Sequence, residues 1–215
     1  MNVNMRLHIL TADSRIIPFI SLITSSAKIA FVKIQNTLEI PDIDFVVYAG
    51  SEGTIDYLGI GGRCINKHLV MIVINPSFPG LKKTILSDLK RIIAHESYHC
   101  TRNYTYGRKY TLLDSLVNEG LADHYEIELF QSPPQRWDTT LHNDQITQYM
   151  EMAKRELHNP TYNHRAWFFG SKEKQIPRWT GYALGFTLVK EYLQQHPDKK
   201  PSNLYDTEVK EFILD

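Results

Sequence analysis

Residues Arg91–Cys100, RIIAHESYHC, form the most informative segment of this chain, because they contain His95, Glu96 and His99 in the order His-Glu-x-x-His. Two histidines four residues apart project from the same side of a helix, so their imidazoles can converge on one ion. The run Ile85–Tyr98 contains no Pro or Gly, and its apolar residues recur at spacings of three and four. This pattern predicts a helix that is anchored in a hydrophobic core.

A third metal ligand is expected further along the chain, because catalytic zinc takes three protein ligands and leaves a fourth position for water. The residue six positions after His99 is Thr105, which excludes a third histidine at the spacing that metzincins use. The segment NEGLAD, Asn118–Asp123, lies in the next predicted helix. It offers Glu119 as the third ligand, and Asp123 on the same face as the acceptor for the distal N–H of a metal-bound histidine.

Together, HExxH at residues 95–99 and NExxxD at residues 118–123 resemble the gluzincin zinc metallopeptidases. Further segments are similar to the YjaZ-like predicted zinc proteases, namely GIGG at Gly59–Gly62, the apolar strand before the motif helix, NEGLAD, and RWTGYALG at Arg178–Gly185. This resemblance spans most of the chain. It implies a zincin-like peptidase domain in which one Zn²⁺ is bound by both histidines and the glutamate, with Glu96 as the general base.

Peptide hydrolysis also requires a group that stabilises the oxyanion beside the metal. Tyr182 is the first candidate, because it lies between two glycines that let its predicted helix approach another one closely. A purely packed aromatic side chain is the equally weighted alternative. His164 and Arg178 are further candidates for contacts with the oxyanion or the substrate, since both lie in or beside a long segment without clear periodicity.

Two other hypotheses account for the same motifs. The chain can be a binding or regulatory module that retains zinc without turnover, although a structural site has no need for Glu96 and would close its fourth position with Cys or His. It can also be another zinc amidohydrolase, such as a deformylase with an upstream cysteine ligand. Cys64 precedes His95, but the residues that characterise that class around the cysteine are absent. Cys64 and Cys100 are therefore interpreted as structural thiols.

Composition restricts the partners and the compartment. Lys and Arg number 24, as do Asp and Glu, so no net field attracts nucleic acid or an anionic membrane. Two cysteines do not make a disulfide framework and favour a reducing compartment. The most apolar run, Ile16–Val32, is interpreted as an amphipathic helix below membrane-spanning length. We predict a cytoplasmic protein that acts on peptides or unfolded protein segments; secretion and the oligomeric state stay open.

The order of the predicted elements indicates the α+β class and a single domain over residues 1–215. A first helix and a small antiparallel or mixed sheet occupy about residues 1–80, the catalytic helices about 81–130, and a helical part about 140–215. The strands are predicted at Asp44–Gly50, Tyr57–Gly62 and His68–Pro76, with an antiparallel meander as the expected connection. The helices are predicted at Ile20–Leu38, Leu81–His99, Leu112–Phe130, Asn143–Leu157, Trp179–Gln195 and Ser202–Leu214.

Overall fold

The computed structural model describes residues 4–105 and 107–213 and has the predicted α+β composition. The chain divides into two compact units, Met1–Tyr106 and Gly107–Asp215. The first unit contains the sheet and the HExxH segment, and the second unit is helical and contains the NEGLAD segment. The predicted single domain over 1–215 stays a prediction.

The sheet of the first unit is mixed rather than a meander. Its strands are β1 (Met5–Ile9), β2 (Ile43–Ala49), β3 (Ile60–Asn66) and β4 (Leu69–Ile74), arranged in the order β1-β2-β4-β3. β2 pairs in parallel with both β1 and β4, and only β3 and β4 form an antiparallel hairpin. The expected meander is wrong because β3 pairs at the outer side of β4, which leaves the other side of β4 to β2.

The helices of the first unit are α1 (Ile20–Gln35), α2 (Leu81–Ser87) and α3 (Leu89–Arg102). The helix predicted from Leu81 is interrupted at Asp88, whose carboxylate accepts a hydrogen bond from the Ser87 hydroxyl at 2.5 Å. α3 is almost wholly buried and packs against β3 and α1. It ends at Asn103, which adopts the left-handed conformation with φ 55°. The HExxH segment therefore lies within one continuous, buried helix.

The interpretation of the first apolar run as too short to span a membrane is wrong by length and composition. A 3-10 helix at Ser14–Phe19 continues directly into α1, and the combined Ser14–Gln35 is long and apolar enough, by length and composition, to cross a membrane. About 28% of its most apolar window is buried within the structure, where Ile23, Ala27 and Ala30 pack inwards. A core helix and a signal sequence both have this composition, so the predicted cytoplasmic location stays a prediction.

The second unit is built from helices. These are α4 (Leu112–Phe130), α5 (Asn143–Lys154), α6 (His164–Phe169) and α7 (Thr180–Gln195). The long segment 159–178 is ordered around α6 and a single bridge between Ser171 and Ile176. The last predicted helix is wrong, because this part of the chain forms two short 3-10 helices, Pro201–Asn203 and Val209–Phe212, instead. The final residue of the predicted helix, Leu214, lies outside the described residues.

Two glycines determine how closely α4 and α7 approach one another. A Cβ atom added to Gly120 would overlap with the carbonyl oxygen of Gly185, and one added to Gly185 would overlap with the carbonyl oxygen of Leu116. The helices thus touch backbone to backbone at this crossing. At its start, α4 is fixed by a capping box in which Thr111 and Asp114 exchange hydrogen bonds. Both features fix the helix that carries Glu119.

Candidate metal centre

The two histidines of the motif lie one turn apart on α3 and face each other. Their Nε2 atoms are 2.9 Å apart, and their rings are perpendicular with centroids separated by 4.5 Å. His99 is buried, with 4% of its surface exposed, and His95 is half-buried. Two imidazole nitrogens pointing at a common position are the arrangement that a metal ion requires.

The carboxylate of Glu96 is held by the neighbouring strand. Its Oε2 accepts a hydrogen bond from the backbone N–H of Cys64 in β3 at 2.7 Å, and the side chain is buried. Gly62 leaves the space that this side chain fills, because a Cβ at Gly62 would lie 2.7 Å from both Glu96 Cγ and Ile92 Cγ2. β3 therefore fixes the position of the predicted general base.

Glu119 is buried on α4, close to a small hydrogen-bonded group in the second unit. The hydroxyl of Tyr162 donates to Ser115 Oγ at 2.6 Å and lies 2.7 Å from Nδ1 of His164. Burial, and to a lesser degree the charge of Glu119, raise the pKa of Tyr162 to about 12. Partial desolvation of the ring lowers the pKa of His164, although the charge of Glu119 opposes this. At neutral pH these two residues are thus a phenol and a neutral imidazole beside the carboxylate.

Among the residues that the structure describes, His95, His99 and Glu119 form the one group of three that can hold a metal ion. Their ligand atoms all lie within 4.8 Å of one another. Two imidazoles and one carboxylate are a donor set that suits zinc in a catalytic site. The chemistry of these side chains therefore fits the predicted ion.

Asp123, predicted to orient a zinc-bound histidine, is completely buried. One of its donors is the indole of Trp137, whose Nε1 lies 3.2 Å from Asp123 Oδ1. The pKa of the neighbouring Asp138 is raised well above its usual range, first by burial and then by the negative charge of Asp123. The structure thus adds Trp137 and Asp138 to the surroundings of Asp123, and its predicted bond to a histidine stays a prediction.

The remaining predicted residues lie in the second unit. Tyr182, in the first turn of α7, contacts the rings of Phe168 at 5.1 Å and Trp137 at 6.2 Å between centroids. His164 begins α6 and stacks on Phe168 at 4.4 Å. The guanidinium of Arg178 lies 4.5 Å from the centre of the Trp179 ring. Their predicted roles towards an oxyanion or a substrate stay predictions.

Sequence reasoning missed several residues that surround these groups. Tyr162 lies in the segment without periodicity, and its only signal is its position two residues before His164. Trp137 and Asp138 lie in a loop after α4, where no spacing indicates that they reach Asp123. Gly62 belongs to a Gly-Gly pair that indicates only a strand edge or a bulge. These contacts depend on tertiary packing and leave no local pattern.

The donor set and its helices define a candidate zinc-hydrolase centre, and the comparison with known proteins agrees. The family described as "Predicted Zn-dependent protease (DUF2268)" matches residues 27–214, and the chain belongs to this family. Over 113 residues the chain is 31% identical to the uncharacterized protein YjaZ of Bacillus subtilis strain 168. That alignment covers 49% of this chain and 42% of YjaZ, so the chain aligns with less than half of this relative's length. No solved structure gives a significant match.

Proposed function

We propose that this protein is a zinc-dependent metallopeptidase of the gluzincin type, which hydrolyses peptides or unfolded protein segments. The observation that carries the proposal is the group of His95, His99 and Glu119 in a chain whose family is described as predicted Zn-dependent proteases. Each of these three side chains would supply one ligand to a single Zn²⁺. When bound, zinc lowers the pKa of a coordinated water towards ~7 and polarises a substrate carbonyl.

Glu96 moves the proton in this proposal. Its carboxylate takes a proton from the attacking water and then delivers it to the nitrogen of the leaving amine, so the residue acts as base and then as acid. The Cys64 N–H fixes Oε2, which keeps the carboxylate in one orientation between the two transfers. Because Glu96 is buried, its exchange of protons with bulk water is restricted.

For the oxyanion, Tyr182 and His164 remain the two proposed groups. The Tyr162 hydroxyl donates to Ser115, so a neutral His164 donates from Nδ1 to the Tyr162 oxygen and its Nε2 has no proton to give. His164 would therefore stabilise a developing negative charge only in its protonated form, which its lowered pKa disfavours at neutral pH. The phenol of Tyr182 has an O–H that can donate, and Tyr182 remains the first candidate.

The proposal is tested by incubating the purified protein with a library of internally quenched peptides. We expect cleavage that disappears after treatment with a chelator and returns when one equivalent of zinc is added. If the protein retains zinc and cleaves no peptide in the library or unfolded protein, the proposal fails in favour of a zinc-containing module without turnover. If it hydrolyses only small amides that are not peptides, the other amidohydrolase hypothesis replaces it.

Gly62→Ala is expected to lower kcat by about 10²-fold, because a reacting group displaced by about 1 Å loses that much rate. The new methyl group would overlap with the side chain of Glu96, while the zinc ligands stay untouched. Zinc content and KM should therefore change little. The measurement is steady-state kinetics together with metal analysis.

The control for this substitution is Lys67→Ala, which alters the exposed turn after the same strand. It should leave kcat unchanged. Full activity in the Gly62→Ala protein would mean that the space beside β3 does not position Glu96.

A further inference from the structure

The only two cysteines of the chain lie side by side. Cys64 in β3 and Cys100 in α3 are 36 positions apart in sequence, and their Sγ atoms are 3.2 Å apart. Both are free thiols, with 5% and 0% of their surfaces exposed. Both also contact the carbonyl oxygen of Asn66, at 3.4 and 3.6 Å. A disulfide has its sulfur atoms about 2.05 Å apart, so closing this bond requires a shift of about 1 Å.

The same two residues are joined to the proposed catalytic groups. The backbone N–H of Cys64 holds the carboxylate of Glu96, and Cys100 directly follows His99 in α3. Drawing the two sulfur atoms together brings β3 towards α3 at the positions of Cys64 and Cys100. Since the side chain of Glu96 already fills the space where a Cβ of Gly62 would stand, the approach displaces the carboxylate.

We propose that Cys64 and Cys100 are an oxidation site, at which a peroxide forms an intramolecular disulfide that reversibly lowers the activity of the neighbouring centre. The loss of activity rests on the function proposed above, whereas the formation of the bond does not. Because the chain has no other cysteine, the pairing has no competitor within the molecule.

Two steps account for all atoms. Hydrogen peroxide transfers one oxygen to the sulfur of Cys64, the more exposed of the two, and gives a sulfenic acid and water. The sulfur of Cys100 then attacks this sulfenic sulfur; the S–O bond breaks, the S–S bond forms, and a second water leaves with the thiol proton. Overall, two thiols and one peroxide yield one disulfide and two waters, and a dithiol reductant reverses the change.

The bond is tested on the purified full chain by treatment with hydrogen peroxide, followed by digestion without reduction and mass spectrometry. We expect a linked peptide pair that contains both cysteines, and a fall from two titratable thiols to none under denaturing conditions, reversed by dithiothreitol. The Cys100→Ala variant should form no linked peptide and should instead accumulate a sulfenic acid that a dione reagent traps. Two unreacted thiols, separate sulfinic acids, or disulfides between molecules would each overturn the proposal.

The effect on the centre is tested by assaying peptide cleavage before oxidation, after it, and after reduction. Activity should fall at least about tenfold on oxidation, because displacement of a catalytic group by about 1 Å costs up to about 10²-fold, and it should recover on reduction. Methionine sulfoxide is restored by sulfoxide reductases and not by dithiothreitol, so recovery of the activity on reduction separates the disulfide from methionine oxidation. A linked peptide with unchanged activity overturns the regulatory part. If the reduced protein cleaves nothing, the proposed function is contradicted. The linked peptide then still shows whether the two cysteines form the disulfide.

Discussion

Glu96→Gln should abolish turnover while the protein still binds zinc. Removing a general acid–base typically costs about 10²–10⁴-fold in rate, and we expect a fall of this size in kcat. The amide has nearly the same shape as the carboxylate, and its oxygen can still accept the hydrogen bond from the Cys64 N–H. The change therefore removes the proton acceptor and leaves the packing of α3 against β3 intact. Single-turnover kinetics and metal analysis on the same preparation measure both quantities.

A matched control is Glu151→Gln, which makes the same chemical change on the exposed surface of α5. It should retain full activity, because its partner Lys154 is a surface residue and such ion pairs contribute little. If Glu96→Gln keeps more than a tenth of the wild-type kcat, Glu96 is not the base. If it loses its zinc, the rate loss has another cause, and the role assigned to Glu96 must be abandoned.

Gly185→Ala is expected to destabilise the second unit strongly, although alanine favours helices over glycine by about 1 kcal/mol. The added methyl group would overlap with the carbonyl oxygen of Leu116, and backbone atoms cannot rotate away as a side chain can. The helices α4 and α7 must then separate, and overpacking of this kind costs about 1–3 kcal/mol. Urea denaturation followed by circular dichroism measures the change in the free energy of unfolding.

Whether Gly185→Ala lowers or raises the free energy of unfolding tests the close contact between α4 and α7. Glu191→Ala, at an exposed position of the same helix, should leave stability within about 0.5 kcal/mol of the wild type. Gly120→Ala should behave like Gly185→Ala, since it meets the same crossing from the other helix. A stability gain at either glycine would show that α4 and α7 do not touch backbone to backbone.

The helix that carries Glu119 was predicted at about Leu112–Phe130, and the structure confirms these bounds. The strands β2 and β4 were also predictable from short apolar runs between turn residues. The pairing of the strands was not predictable, since an apolar run does not indicate which other strand it pairs with. β1 was missed because a strand of only five residues, two of them exposed, gives little signal.

At the metal centre, the contacts that the sequence did not predict were missed for the same physical reason. The spacing of HExxH and NExxxD indicated a ligand set, because ligands on helices follow a fixed period. The contacts of Gly62 and Cys64 with Glu96 join a strand to a helix more than thirty positions away. The pairing of Cys64 with Cys100 arises in the same way. Such contacts are set by the packing of α3 on β3, for which the sequence contains no periodic pattern.

The central claim is that two imidazoles and one carboxylate bind a single zinc ion, and zinc analysis of the wild type and of single ligand variants tests it most directly. We expect one zinc per chain in the wild type, with X-ray absorption showing two imidazole nitrogens and oxygen ligands at about 2.0–2.2 Å. His99→Ala and Glu119→Ala should each lose the ion, whereas Glu128→Ala, on the same helix as Glu119, should keep it. A wild type without stoichiometric zinc, or a Glu119→Ala protein that binds zinc as tightly as the wild type, would contradict the account.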